Sequence, residues 1–323
     1  MNHMIEEIQL AIVIPFYKIT FFEETLKSLL NQSDKRFNIY IGDDASPQSP
    51  EKLVEKYQNV LNINYMRFED NLGATDLVGQ WHRCLEMTAN EEWIWILPDD
   101  DMPSTNVVEE FYKALSFVRE YNVKIFRFPM SIVDREGKIT QHYNFEEPTI
   151  ETNLAFYERI VKSKATATIG DNIFHKKSLL EQGEFVDFPK AWGSDHATVL
   201  CTAQGGKIYN LKQAHLYFRM SGENISSDIT DGLIKINARI QFAHWLKNNE
   251  NIFPKKPDKM FYKHFYWKAE YYILKTWLFD IRLFYKLYLL RSICFDSKNI
   301  FPIVKIFFKK ILGGRIAIKK NDL

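Results

Sequence analysis

The sequence predicts an α/β fold built on a largely parallel sheet, and three observations predict it. Short β-branched apolar runs alternate with amphipathic helical patterns over the first hundred residues. The runs end in turn-forming residues, and three of the first four are followed by carboxylates. The spacing is too long for hairpins and suits helical crossovers between parallel strands.

Taken in order, Leu10 to Ile14 is a buried-strand run ended by Pro15, and Thr20 and Glu23 stand at capping-box spacing before a helix through Leu26, Leu29 and Leu30. Phe37 to Ile41 is the second strand. It runs into GDDASPQSP, where Ser49 and Pro50 suit the N-cap and first residue of another helix. Ile63 to Arg67 reads as the third strand, Asp70 to Gly73 as a loop, Leu77 to Met87 as a helix and Trp93 to Leu97 as the fourth strand. A helix over Val107 to Arg119, a strand over Val123 to Phe128 and a hairpin around Asp134 to Gly137 follow, so the sheet becomes mixed. From Asp228 the pattern is helical. Two regions result: residues 1–225 as an α/β domain, and residues 226–323 as a helical, basic and aromatic region.

At 323 residues and 46% apolar content the chain can bury a sizeable core, which excludes disorder as the expected state. The formal charge of +1 hides an asymmetry: residues up to Ile252 hold 26 Lys+Arg against 36 Asp+Glu, the remainder 16 against 5. Three distant cysteines, Cys84, Cys201 and Cys294, suggest neither a disulfide framework nor a zinc site, and fit a reducing cytoplasm. No export signal and no apolar run of spanning length is expected; even Ile300 to Leu312 is cut by Lys305, Lys309 and Lys310.

In open α/β sheets ligands bind outside the carboxyl ends of the strands. The segments there are PFYK, GDDAS, EDNLG and PDDDMP. Asp99, Asp100 and Asp101 are adjacent carboxylates that repel one another unless water or a cation relieves them, and Mg²⁺ or Mn²⁺ held by one or two of them would neutralise a departing diphosphate. Taken alone, the triplet reads equally as a solvated acidic turn capping a helix near Ser104.

The run AIVIPFYK, IYIGDDASP, NLGA and WILPDDD, in that order, resembles the signature of family 2 glycosyltransferases over Leu10 to Arg219. The resemblance implies the GT-A fold, a Rossmann-like nucleotide-diphospho-sugar transferase architecture, with a nucleotide-sugar donor (a UDP-sugar is favoured), Mn²⁺ or Mg²⁺, and inversion at the anomeric carbon. It implies that Asp43 accepts a hydrogen bond from the donor's base, that Pro15 and Tyr17 line the nucleotide pocket, and that Asp44 supports the turn. Asp101 is the preferred metal ligand, with Asp99 and Asp100 on ribose or metal-bound water and Asp99 a further ligand. FVDFPKAWGSDHATVL resembles the second acidic motif and makes Asp195 the catalytic base, with Asp187 its nearest rival. HLYFRMSGENISS resembles the segment that closes over the donor, so Arg219 would pair with diphosphate and His215 would complete the metal shell. Trp192 is either a sugar-stacking face or core. Three positions depart from the family pattern: Ala45 stands where Gly is common, Pro98 where Asp is frequent and His82 where Asn is frequent.

From Phe253 onward, 17 of 71 residues are aromatic and interleaved with Lys and Arg. Such a surface suits an anionic bilayer, each basic group adding about 1 kcal/mol, and equally suits packing on protein or a homo-oligomer interface. No nucleic-acid-binding module accompanies it. The expected activity is transfer of a sugar to a glycan or lipid-linked acceptor in surface-polysaccharide synthesis, in the cytoplasm or peripherally at the inner membrane face. The rivals are a sugar-nucleotide pyrophosphorylase, whose Gly-rich basic loop PFYKITFFEE does not supply, and a non-catalytic binding protein on the same fold.

Overall fold

The computed structural model describes residues 9–143, 145–224, 232–258 and 261, all within the first of two units, Met1–Phe261. Nearly all of the aromatic, basic tail, and with it the membrane expectation, lies outside the described residues. Among the described residues no helix is long and apolar enough to cross a membrane.

The first hundred residues form the predicted crossovers. β1 (Leu10–Phe16), α1 (Phe22–Leu30), β2 (Phe37–Asp43), α2 (Glu51–Tyr57), β3 (Ile63–Arg67), α3 (Leu77–Leu85) and β4 (Trp93–Ile96) follow in order. β2 and β4 flank β1 in parallel, and β3 lies parallel on β2. Being covered on both faces, β1 and β4 are almost wholly buried, which is why their sequences are continuous apolar runs rather than alternating ones. One face packs Ile12, Ile14, Ile39, Trp93 and Trp95 against Phe22, Leu26 and Leu29 of α1. Each such side chain contributes about 1.5–3 kcal/mol on burial.

Further along the described residues come β5 (Met102–Pro103), α4 (Val107–Ala114), α5 (Phe117–Tyr121), β6 (Val123–Arg127), β7 (Met130–Val133), β8 (Ile139–His142), β9 (Ile150–Glu151), α6 (Asn153–Val161), β10 (Asn172–His175), α7 (Lys176–Glu181), α8 (Ser194–Thr202), β11 (Lys207–Asn210), β12 (Leu216–Arg219) and α9 (Gly232–Asn248). The large sheet runs β3-β2-β1-β4-β10-β6-β11-β9 and is mixed, because β10 is antiparallel to both β4 and β6. A smaller sheet, β5-β12-β7-β8, lies beside the chain leaving β4.

Two local expectations differ. Thr20 and Glu23 do not form a capping box: α1 starts after Phe21 without a side-chain cap, and Glu23 instead pairs with Lys56 at 2.6 Å and Lys27 at 3.4 Å. The expected helix Val107 to Arg119 is broken into α4 and α5, the break falling where the Leu115 N–H is shared between the Phe111 and Tyr112 carbonyls.

Candidate active site

The acidic triplet sits where β4 leaves the sheet. The Asp99 carboxylate accepts the backbone N–H groups of Tyr17 and Lys18, each at 2.8 Å, and so fastens the loop after β1 to the loop after β4. Asp101 is wholly buried; its Oδ1 accepts the Arg219 N–H at 2.9 Å and its Oδ2 is buried with no partner. Asp100 accepts Asn224 Nδ2 at 3.3 Å, and its carbonyl accepts Arg219 Nε at 3.1 Å. Burial pushes all three carboxyls up; Asp100 rises to about 7 with the Asp99 charge adding to the burial, and Asp101 is pushed up further by burial and by its two neighbours. The strand end thus concentrates negative charge that the protein itself only partly compensates.

The donor set for a cation is oxygen-only, which suits Mg²⁺ or Mn²⁺. Among the described residues no three His, Cys, Asp or Glu side chains converge on one point. A cation would therefore draw on one or two carboxylates, the rest of its shell coming from water and diphosphate. The unpartnered Asp101 Oδ2 and the raised carboxyls fit that arrangement.

On the nucleotide side, Pro15 and Tyr17 stand at the end of β1, in register with Gly42 and the loop beyond. Asp43 is fully buried and already occupied: Oδ1 accepts the Ser46 N–H at 2.8 Å, and Oδ2 accepts Tyr65 Oη at 2.7 Å and Arg67 Nη1 at 2.6 Å. Burial and the Asp43 charge push the Tyr65 hydroxyl up to about 12. Arg67, 40% exposed, was missed in the sequence, although the parallel register Asp43↔Arg67 places the two charges side by side. Asp44 holds the NLGA loop by accepting the N–H groups of Leu72 at 2.8 Å and Gly73 at 2.9 Å, and it pairs with Arg83. Ala45 takes a left-handed φ of 49°, which explains why the related pattern has Gly there.

Asp195 occupies the first turn of α8, half-buried, with Oδ1 accepting the His196 N–H at 2.7 Å. It makes no ion pair among the described residues. The turn that delivers it is strained: Lys190 (φ 57°), Ala191 (φ 53°) and Gly193 (φ 103°) all have positive φ. Gly193 also faces the Phe242 ring of α9, 3.4 Å from where a Cβ would stand. Asp187 is exposed on the preceding loop. Burial pushes the nearby Tyr157 hydroxyl up; the Arg239 charge opposes this and the Asp195 charge adds to it, so both charges lie within reach of that hydroxyl.

His215, expected in the metal shell, bonds elsewhere, and Arg219, expected on the diphosphate, meets the acidic turn through its backbone N–H and Nε. His215 Nε2 lies 2.9 Å from Ser131 Oγ and its ring stacks on His142 at 5.6 Å; its backbone pairs with Ser104, at the opposite end of β12 from Arg219. Burial and His142 push its imidazole pKa down. The Arg219 guanidinium is buried, pairing with Glu24 at 2.5 Å and the Arg135 carbonyl at 2.7 Å and lying 4.3 Å from the Phe21 ring centre, while its Nε and backbone N–H hold the acidic turn. The sequence offered no sign of either set of partners.

A nucleotide-type sheet, carboxylates at the ends of β2 and β4 and a further carboxylate on α8 define a GT-A glycosyltransferase architecture. Residues 11–181 match the family model "Glycosyl transferase family 2", and the chain belongs to that family. Among curated proteins it is similar to the poly(ribitol-phosphate) beta-N-acetylglucosaminyltransferase TarS of Staphylococcus aureus, 23% identical over 225 residues, 67% of this chain and 37% of that protein. The chain thus matches little more than a third of that relative's length. Among solved structures, S. aureus TarS 1–349 in complex with UDP-GlcNAc superposes with a TM-score of 0.63 at 19% identity, covering 88% of this chain and 79% of that one. GalNAc-T7 with UDP, GalNAc and Mn²⁺ superposes with a TM-score of 0.52 at 12% identity, covering 84% and 57%. These likenesses show the fold.

Proposed function

We propose that this protein is a metal-dependent, inverting glycosyltransferase that moves a sugar from a nucleotide-diphosphate sugar, a UDP-sugar being favoured, to a glycan or lipid-linked acceptor in surface-polysaccharide synthesis. The observation that carries this reading is the Asp99–Asp101 turn, tied through Asp99 to the loop after β1 and set at the same end of the sheet as Asp43. Support for a nucleotide-sugar donor also comes from the UDP-GlcNAc and UDP complexes of TarS.

In this reading Pro15, Tyr17 and the Asp43–Arg67 pair frame the base, and Asp44 keeps the NLGA turn in place. Asp101 and Asp99 hold Mn²⁺ or Mg²⁺, with Asp100 beside them. The ion, when bound, supplies positive charge to the leaving diphosphate. Arg219 acts by bracing this loop. Asp195 takes the acceptor hydroxyl's proton as its oxygen attacks the anomeric carbon from the face opposite the diphosphate. One C–O bond forms, the C–O bond to diphosphate breaks, and the configuration inverts. The first turn of α8 orients Asp195, as a positioned base requires.

Incubating the full chain with a panel of nucleotide sugars and Mn²⁺ or Mg²⁺ tests the assignment. Nucleotide diphosphate release that EDTA abolishes and Asp101→Ala removes is the expected result; binding without turnover for every donor would leave a scaffold on this fold. The basic, aromatic tail and the region division at 225/226 enter the same reading as a peripheral attachment to anionic membrane. Sedimentation of the full chain with phosphatidylglycerol vesicles but not with neutral ones is expected.

A further inference from the structure

The Arg219 guanidinium is buried and engaged, so the role of meeting a donor's diphosphate is open. Two other cations stand beside the acidic turn, and both are exposed. Lys18 lies in the loop after β1; its N–H donates to Asp99 at 2.8 Å and its ammonium donates to the Glu223 carbonyl. Arg135, in the turn between β7 and β8, donates to the Glu223 carboxylate, and its guanidinium lies 5.2 Å from the centre of the Phe21 ring that also meets Arg219. Thr20 Oγ1 reaches the other Glu223 oxygen at 3.5 Å. One half-buried residue, Glu223, thus draws together the loop after β1 and the β7–β8 turn.

Glu223 is delivered by a thin turn rather than by packing. Ser221 Oγ accepts its N–H at 3.2 Å, and Gly222 before it takes a left-handed φ of 83° with nothing within 4 Å of where a Cβ would stand. The Glu223 side chain is 36% exposed and that of Arg135 50%, and an ion pair so open adds little to folding. Its position is more telling. The next residue, Asn224, donates to Asp100 at 3.3 Å, so Glu223 sits one residue from a partner of the acidic turn. The Arg135 hydrogen bond holds the Glu223 carboxyl below its usual range, with the Arg135 and Lys18 charges adding to it, and the Lys18 charge also acts on Asp99 and Asp100. An ammonium, a guanidinium and a hydroxyl converging on the oxygens of one residue are the partners an oxyanion takes. A diphosphate, with more charge and more acceptor oxygens than one carboxylate and one carbonyl, binds the same donors more strongly.

We propose that Lys18 and Arg135 bind the donor's diphosphate and that Glu223 holds both cations in the free chain until the diphosphate displaces it. This rests on the chain taking a nucleotide-diphosphate sugar. Lys18 exchanges a neutral carbonyl, and Arg135 a single carboxylate, for phosphate oxygens, and Glu223 turns out to solvent. The exchange sets the diphosphate apart from the free nucleoside, which has nothing to offer either cation.

Titration calorimetry on the full chain with Mg²⁺ tests it. The probes are UDP, GDP, ADP and CDP, and whichever binds tightest is compared with its own nucleoside. The basic tail is common to every variant, so differences between variants report the residues changed. Lys18→Gln/Arg135→Gln should weaken the diphosphate at least about tenfold, as loss of two charge-assisted contacts implies, and leave the nucleoside within about twofold. Lys18→Arg should keep the affinity. Glu223→Gln should tighten the diphosphate about two- to fivefold, the range of one exposed ion pair given up, and that gain should vanish when the change is added to the double variant. Diphosphate affinity unchanged in the double variant, with its thermal midpoint intact, would overturn the two cations, and so would an equal loss for the nucleoside. Affinity unchanged or weakened in Glu223→Gln would overturn the exchange. Failure of the unaltered chain to bind any of the four diphosphates would overturn the transferase reading itself, a result that no variant is needed to see.

Discussion

Gly170 is the point at which the loop before β10 presses on the acidic turn, and Gly170→Ala measures how rigidly that turn is held. A Cβ there would stand 3.0 Å from Pro98 Cδ, 3.2 Å from Leu216 Cδ2 and 3.3 Å from Asp101 Oδ2, all shorter than the ordinary contact range of 3.4–4 Å. None of these neighbours yields cheaply: Pro98 is a ring, and Leu216 and Asp101 are fully buried. The Gly170 carbonyl is also anchored by the Trp95 indole N–H at 2.7 Å, so the loop cannot swing away. Overpacking of this kind costs about 1–3 kcal/mol. The reduced freedom of the unfolded chain returns about 0.4–1 kcal/mol, so a net loss of about 1–2 kcal/mol is expected. With a urea slope of about 3 kcal/mol/M for a chain of this size, the unfolding midpoint should fall by about 0.5 M at unchanged slope. Because Pro98 and Asp101 must give by a few tenths of an ångström, donor turnover should fall several-fold, short of the about 100-fold that a misplacement near 1 Å costs. A midpoint unmoved together with unchanged turnover would refute the view that this packing fixes the carboxylates.

Two further substitutions read other parts of the account. Ala45→Gly removes the roughly 1–2 kcal/mol cost of a left-handed alanine against about 0.5–1 kcal/mol of extra glycine entropy; calorimetry should show a thermal midpoint higher by about 2 °C, and a lower one would contradict the strain at φ 49°. Asp171 is fully buried beside Arg127, and burial pushes its carboxyl up to about 7 despite that charge. A carboxyl raised on folding binds its proton more tightly in the native state, so the unfolded chain holds fewer protons between about pH 4 and 7 and stability falls as pH rises through that window. Urea titrations from pH 4 to 8 should show that decline in the parent chain and a flatter profile in Asp171→Asn; parallel profiles would exclude Asp171 as its source.

The parts of the fold that were legible in the sequence are those fixed by local pattern. β1 to β4 and their crossovers follow from continuous apolar runs and helical periodicity, and the ligand end of the sheet follows from the topology rule. The antiparallel insertion of β10 between β4 and β6 and the small sheet β5-β12-β7-β8 depend on pairings between segments up to about a hundred residues apart, which periodicity does not encode. The same limit governs the site. Asp44 lies close to the sequence reading because its partners, Leu72 and Gly73, belong to the NLGA motif that follows it. His215 was read from its motif alone, and its ring instead meets Ser131 and His142, residues brought to it only by β12 pairing with β7 and β7 with β8. Arg219 ends the strand that begins just after His215, and its guanidinium is held by Glu24 and the Arg135 carbonyl. Lys18 and Arg135 gave no signal because nothing in the sequence shows that both meet Glu223.

The central claim is that Asp195 removes the acceptor's proton, and comparing Asp195→Asn with the unaltered chain tests it most directly. The isosteric amide keeps the helix start, and its carbonyl oxygen still accepts the His196 N–H without a change in size. The account predicts that the transfer rate at saturating donor falls by about 10²–10⁴-fold while donor affinity stays within about twofold. A variant that transfers sugar at the parent rate would contradict it.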